Sequence, residues 1–171
     1  MEIRRLFWGF EITAQWPQFP RDGRQILPKD RHATIAFLGN VDYDMLKPFI
    51  NNYEPEINIQ PSGIFNRLIL LPNEKKSRII SLGGHINNLD MCMTEVNRIK
   101  KGMSMLGFKI DERDWLFHVT IARKPFNIKL WKGLNILIPF RLSGICLYQS
   151  IQSLIYEKLH TFPIGFNNKT T

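Results

Sequence analysis

HATIAFLG at residues 32–39 and HVTIAR at residues 118–123 carry one pattern, His-x-Thr-Ile-Ala, repeated 86 positions apart. Each copy reads as a strand: β-branched residues alternate with others, and turn chemistry follows at Gly39-Asn40 and at Lys124-Pro125. On a strand, residues i and i+2 share a face. His32 and Thr34 therefore project together, with Ala33, Ile35 and Phe37 on the opposite, core-facing side. His118 and Thr120 project together likewise, with Val119 and Ile121 behind them. The chain holds only four histidines, and two of them head this repeat.

Working outward, RRLFWGFEI (residues 4–12) reads as an opening strand, and residues 16–30 are loop chemistry with three prolines and Gly23. A helix is expected from about Asp42, with Pro48 either straining its interior or marking its start. NIQPSGIF, RLILLP and RIISLGG read as three short strands. Residues 88–106 place Leu89, Met93, Val96, Ile99, Met103 and Leu106 along one helical face, with Gly107 as a left-handed stop. NILIPFRL, ICLYQSI and LIYEKLHTFPI read as closing strands, and the polar tail GFNNKTT as a frayed end. Short strands mixed with few helices give an α+β class with mainly antiparallel sheets. The doubled motif suggests two related halves facing each other; its interval is too long for a solenoid.

A chain of 171 residues with 44% hydrophobic and 22% charged residues suits one domain, 1–171, of two lobes, and its composition is not that of a disordered chain. The formal charge of +8 favours a polyanionic partner, nucleic acid before anionic membrane. Cys92 and Cys146 form no C-x-x-C pair and no His/Cys cluster, so neither a zinc site nor a disulfide framework is expected, which suits a reducing cytoplasm. Glu11 interrupts the apolar start of the chain, and no later run reaches eighteen apolar residues. No membrane span is expected.

Two imidazoles and two hydroxyls over one cleft suit in-line displacement at phosphorus. A neutral histidine takes the proton of the attacking water and a protonated one supplies the leaving oxygen. An imidazole pKa near 6.5 lets both forms coexist at neutral pH. Threonine hydroxyls donate to the non-bridging oxygens, and no metal or other cofactor is needed. No G-x-S-x-G elbow, P-loop or Rossmann glycine pattern competes with this chemistry. His85 and His160 lack the motif and read as structural or exposed.

HATIAFLGNV and FHVTIAR resemble the two signatures of the two-histidine (2H) phosphoesterase superfamily, in its RNA 2′,3′-cyclic phosphodiesterase or 2′-5′ RNA ligase branch. The likeness extends to RLFWGFEI, GIFNRLILLP with SLGG, the helix ending LGF, DERDW and LYQS. It implies a bilobal α+β fold with two pseudo-symmetric, mainly antiparallel sheets around a central cleft and flanking helices. The implied activity is hydrolysis of RNA 2′,3′-cyclic phosphate ends to a 2′-phosphate, with reversible 2′-5′ ligation as a related reaction. By the same resemblance His32 is the acid, His118 the base, Thr34 and Thr120 hold the phosphate, and Arg123 binds it. In a regular strand Arg123 falls on the wrong face, so a bulge or the strand end must bring it to the cleft.

Two departures stand out. The segment before His32 is loop-rich where many family members carry a helix, which alters the wall past which RNA enters. Leu116-Phe117 precedes the second histidine where proline is common. Phe65, Trp115 and Tyr148 are conceivable base platforms, with core packing the favoured role for each. The expected partners are RNA 3′ ends or nucleotides, and the expected state is a monomer. A non-catalytic RNA- or nucleotide-binding module, and a phosphodiesterase for 2′-5′ oligonucleotides or a small cyclic nucleotide, remain open alternatives.

Overall fold

The structure, a computed structural model, describes residues 1–165. The expected fraying of the tail falls on residues outside that range, apart from Gly165. Among the described residues, eight strands and three α-helices run in order as β1 (Ile3–Ala14), β2 (Arg24–Gln25), β3 (His32–Asp42), α1 (Lys47–Ile50), β4 (Ser62–Leu71), β5 (Ile79–Ile86), α2 (Leu89–Met105), β6 (Val119–Arg123), α3 (Ile128–Lys132), β7 (Ile138–Gln152) and β8 (Ile155–Pro163). All strand pairs are antiparallel, in the order β2-β6-β5-β4-β7-β1-β3, with β8 also on β7.

The two halves expected from the repeat appear as two blocks. β3, β1, β7 and β8 form one, with the first motif on β3; β4, β5, β6 and β2 form the other, with the second motif leading into β6. β7 joins them. One of its edges carries β1, and the other carries β4 along residues 138–141 and then β8 along residues 144–152.

One face of the sheet is the core. Trp8, Phe10 and Ile12 of β1 turn to it, and Trp8 Nε1 donates to the Met103 sulfur of α2 at 3.3 Å. The helix buries Cys92, Glu95, Val96, Ile99 and Met103, while Leu89 is 46% exposed. The buried stripe is thus rotated from the expected one towards Cys92 and Glu95. Burying Glu95 is tolerable because its carboxylate accepts from Tyr53 Oη at 2.6 Å and Arg98 Nη1 at 2.7 Å.

Two of the three expected central strands are one: NIQPSGIF and RLILLP merge into β4, which bulges between Phe65 and Arg67. Pro48 begins α1 rather than straining it, and Gly107 takes φ +91° at the end of α2. Where a helix was expected to be missing, the loop before β3 covers the second block with aromatic rings. Phe19 stacks on Trp131 at 5.8 Å, and Trp16 on Phe65 at 6.0 Å. The Arg31 guanidinium lies over Trp16 and Phe19, and burial pushes its pKa down to about 10.

Candidate active site

Each motif does something that strict alternation does not. The pairing of β1 with β3 steps from Trp8↔Ala36 to Gly9↔Thr34, and that of β5 with β6 from Ile80↔Ala122 to Ser81↔Thr120. In both copies an extra residue, Ile35 or Ile121, is inserted directly after the threonine. Such a bulge lets two successive residues face one side. Ile35 and Ala36 are both buried, as are Ile121 and Ala122. The shared Ile-Ala tail is therefore the signature of the same bulge made twice.

Past the bulge the phase flips. Arg123 comes round to the face of Thr120 and lines the cleft. Phe37, expected in the core, does likewise: it is 49% exposed and lines the same cleft, with the Arg5 guanidinium 4.9 Å from its ring centroid. A two-residue period assigns Phe37 to the core; the inserted residue reverses it.

The cleft holds about 450 Å³, and His32, Thr34, Thr120 and Arg123 line it together. His118 stands beside it, half-exposed, two residues before Thr120. Both imidazoles are held alike. His32 Nδ1 lies 2.7 Å from the Asp30 carbonyl and His118 Nδ1 2.8 Å from the Leu116 carbonyl. A carbonyl only accepts, so each Nδ1 carries the hydrogen and each Nε2 is left for chemistry. Thr120 Oγ1 is 3.3 Å from Oγ of buried Ser81, and Trp115 Nε1 donates to the Thr34 carbonyl at 2.8 Å.

His32 is the more enclosed histidine. It is buried among Phe7 at 4.7 Å, Tyr148 at 5.0 Å and Tyr156 at 5.0 Å. Burial pushes its pKa down to about 4, the Asp30 carbonyl opposes that shift, and the charges of His118 and Arg123 add to it. Arg123 also lies near Tyr156, where its charge opposes the rise that burial gives the phenol's pKa, so Tyr156 neighbours both groups.

The three nominated platforms pack elsewhere: Phe65 is fully buried against Phe140, Tyr148 lies beneath His32, and the Trp115 ring meets Phe10 and Phe117. Of the other histidines, His160 bonds Tyr43 Oη at 2.6 Å and His85 is exposed away from this cleft. Residues that sequence reasoning missed here are Phe37, Ser81, Tyr156, Arg5 and Arg24. Only Phe37 left a trace, in its five-residue spacing from the histidine. Among the described residues no group of three or more His, Cys, Asp or Glu could hold a metal, and no helix is long and apolar enough to cross a membrane.

No family model matches the chain. It is similar to the RNA 2′,3′-cyclic phosphodiesterase of Methanocaldococcus jannaschii, with 36% identity over 118 residues. That match covers 68% of this chain and 64% of the relative, so it spans just under two thirds of the relative's length. The protein of the same name from Bacillus subtilis is 25% identical over 147 residues, covering 81% of this chain and 79% of its own. Among solved structures, E. coli LigT complexed with 3′-AMP superposes with a TM-score of 0.70 at 19% identity, covering 96% of this chain and 100% of that one. The Thermus thermophilus protein TT0787 gives a TM-score of 0.65 at 14% identity, covering 95% and 99%.

Proposed function

From the likeness to these relatives we propose that the chain is a two-histidine phosphoesterase and that it opens the 2′,3′-cyclic phosphate at an RNA 3′ end. The product is a 2′-phosphate, and the same displacement with an RNA 5′-hydroxyl in place of water joins ends through a 2′-5′ link. One observation carries the reading. Two strands with matching bulges bring His32, both threonines and one arginine to a single cleft, with His118 next to Thr120 on its strand and each imidazole's Nδ1 tied to a carbonyl. The names of the two curated relatives support it, as do the nucleotides, 3′-AMP and ATP, bound in the E. coli structures.

In the proposed step, water attacks phosphorus in line with O3′, the P–O3′ bond breaks, and O3′ departs as the ribose hydroxyl. His118 Nε2 accepts the proton of the water, and His32 Nε2–H protonates O3′. Thr34, Thr120 and Arg123 donate to the non-bridging oxygens. In the empty site the His32 ring is neutral at neutral pH, with its one hydrogen on Nδ1. A phosphate anion seated beside it offsets the charges of His118 and Arg123 that oppose its protonation, so substrate itself arms the acid. Phe37 offers its exposed ring to the terminal base. We also take residues 1–171 to act as one two-lobed monomeric unit in the cytoplasm.

The test is a short RNA ending in a 2′,3′-cyclic phosphate, incubated with the protein in excess EDTA. Clean 2′-phosphate supports the proposal; an untouched end, or a 3′-phosphate, sinks it.

A further inference from the structure

A second cavity, of about 880 Å³, is larger than the histidine cleft. Thr13, Ile64, His85, Leu137 and Arg141 are among the residues lining it. It lies on the same side of the sheet as the histidines. Glu11 pairs with His32 in register and Thr13 follows two residues on, so both face the way His32 faces. On the second block, Ser81, beside Thr120, and His85 share a face by the same alternation, and Ile64 pairs with His85.

The catalytic groups therefore sit between two ends of one surface. Phe37 pairs with Phe7, on one side of the Gly9–Glu11 level that carries Thr34 and His32; Thr13 and Arg141 pair on the other. Two residues along a strand are roughly 7 Å, which is the scale of one nucleotide.

The shape of ribose then assigns the ends. A ribose held by its 2′,3′ edge sends its base off C1′ to one side and its C5′ chain off C4′ to the other. With the terminal base over Phe37, the 5′-strand runs towards the larger cavity. We propose that this cavity is a subsite for the nucleotide immediately 5′ of the reacting end, in single-stranded RNA. The inference rests on the phosphodiesterase reading and extends it to substrate length. The lining has the chemistry for a nucleotide. Ile64, 41% exposed, and Leu137, 68% exposed, give apolar surface beside the exposed His85 ring for a base. Asn66 and Asn87 present amides to base edges, and Arg141 presents a guanidinium to the linking phosphate.

The experiment compares kcat/KM for a mononucleoside 2′,3′-cyclic phosphate with that for a trinucleotide ending in the same group. The wild-type protein favours the trinucleotide by about tenfold or more, the low end of what one stacked base contributes. In Arg141→Glu and Leu137→Asp, both at exposed positions, that ratio falls towards one. Equal rates in the wild type, or a ratio that survives in both variants, overturns the subsite. If neither substrate is turned over, the catalytic reading fails by itself, and binding decides the subsite. Tighter binding of a trinucleotide 2′-phosphate than of a mononucleoside 2′-phosphate, lost in Arg141→Glu, upholds it; equal affinities overturn it.

Discussion

Phe37 and Arg123 occupy the same place in the two copies of the motif, five residues after His32 and His118, and each is turned into the cleft by a bulge at the preceding isoleucine. The twofold pattern is broken at this pair: one copy presents a cation and the other an aromatic face. A nucleotide has the same asymmetry, with phosphate at one end and base at the other. Phe37→Ala should therefore raise KM for RNA ends by about tenfold or more, as expected for one lost base stack. It should leave a phosphodiester without a base unaffected. Arg123→Ala should slow both substrates by about 10- to 100-fold, the range for a lost hydrogen bond to a charged group. Steady-state kinetics on the two substrates separates these outcomes.

His32→Ala and His118→Ala should each lower kcat on RNA 2′,3′-cyclic ends by about 10² to 10⁴. Their roles separate on a p-nitrophenyl phosphodiester, whose leaving group needs no proton. If His32 is the acid, His32→Ala recovers most of its loss on that substrate and His118→Ala does not. The opposite pattern exchanges the roles.

The buried state of His32 sets a pH dependence of both activity and stability. The fold lowers its pKa from 6.5 to about 4, so between those values the native protein binds fewer protons than the unfolded chain. Its contribution is complete above pH 6.5 and is lost as pH falls towards 4, by roughly 3 kcal/mol. Denaturant midpoints measured from pH 7 to pH 4 should fall, and His32→Gln should flatten the curve. The acid limb of kcat/KM should likewise lie near 4, below the ordinary imidazole range, because the active form carries one proton on the pair.

Gly9 faces Thr34 across the β1–β3 ladder and leaves room for the rings around His32. A methyl group there would stand 3.1 Å from the Tyr148 ring and 3.2 Å from the Ala33 carbonyl. Gly9→Ala should displace Tyr148, on which His32 packs, and lower kcat more than it raises KM. A variant with unchanged kcat would show that His32 does not depend on this packing.

The histidines and threonines were legible because alternation over the first three residues of each strand is regular. Phe37 was not, because a single inserted residue inverts every later side chain. For Arg123 the need for such a bulge could be read in advance, since a cation five residues after a histidine otherwise faces the core. The β-class of the central region was plain from composition, yet its strand count was not: NIQPSGIF and RLILLP read as two runs, and Asn66 between them is a bulge inside β4. Glu95 escaped the helix stripe because a carboxylate reads as solvent-facing, and its partners Tyr53 and Arg98 are recognisable only in three dimensions.

β7 and β8 have one more consequence. His32 opens β3, but Tyr148 and Tyr156, two of the rings that enclose it, come from β7 and β8, far later in the chain. A nascent chain emerging from the ribosome carries both imidazoles well before the block that holds His32 is complete, because that block waits for β7 and β8. His32 acquires its lowered pKa only when the β7–β8 hairpin docks, with β7 on β1, so the burial of the first histidine waits on residues made long after it.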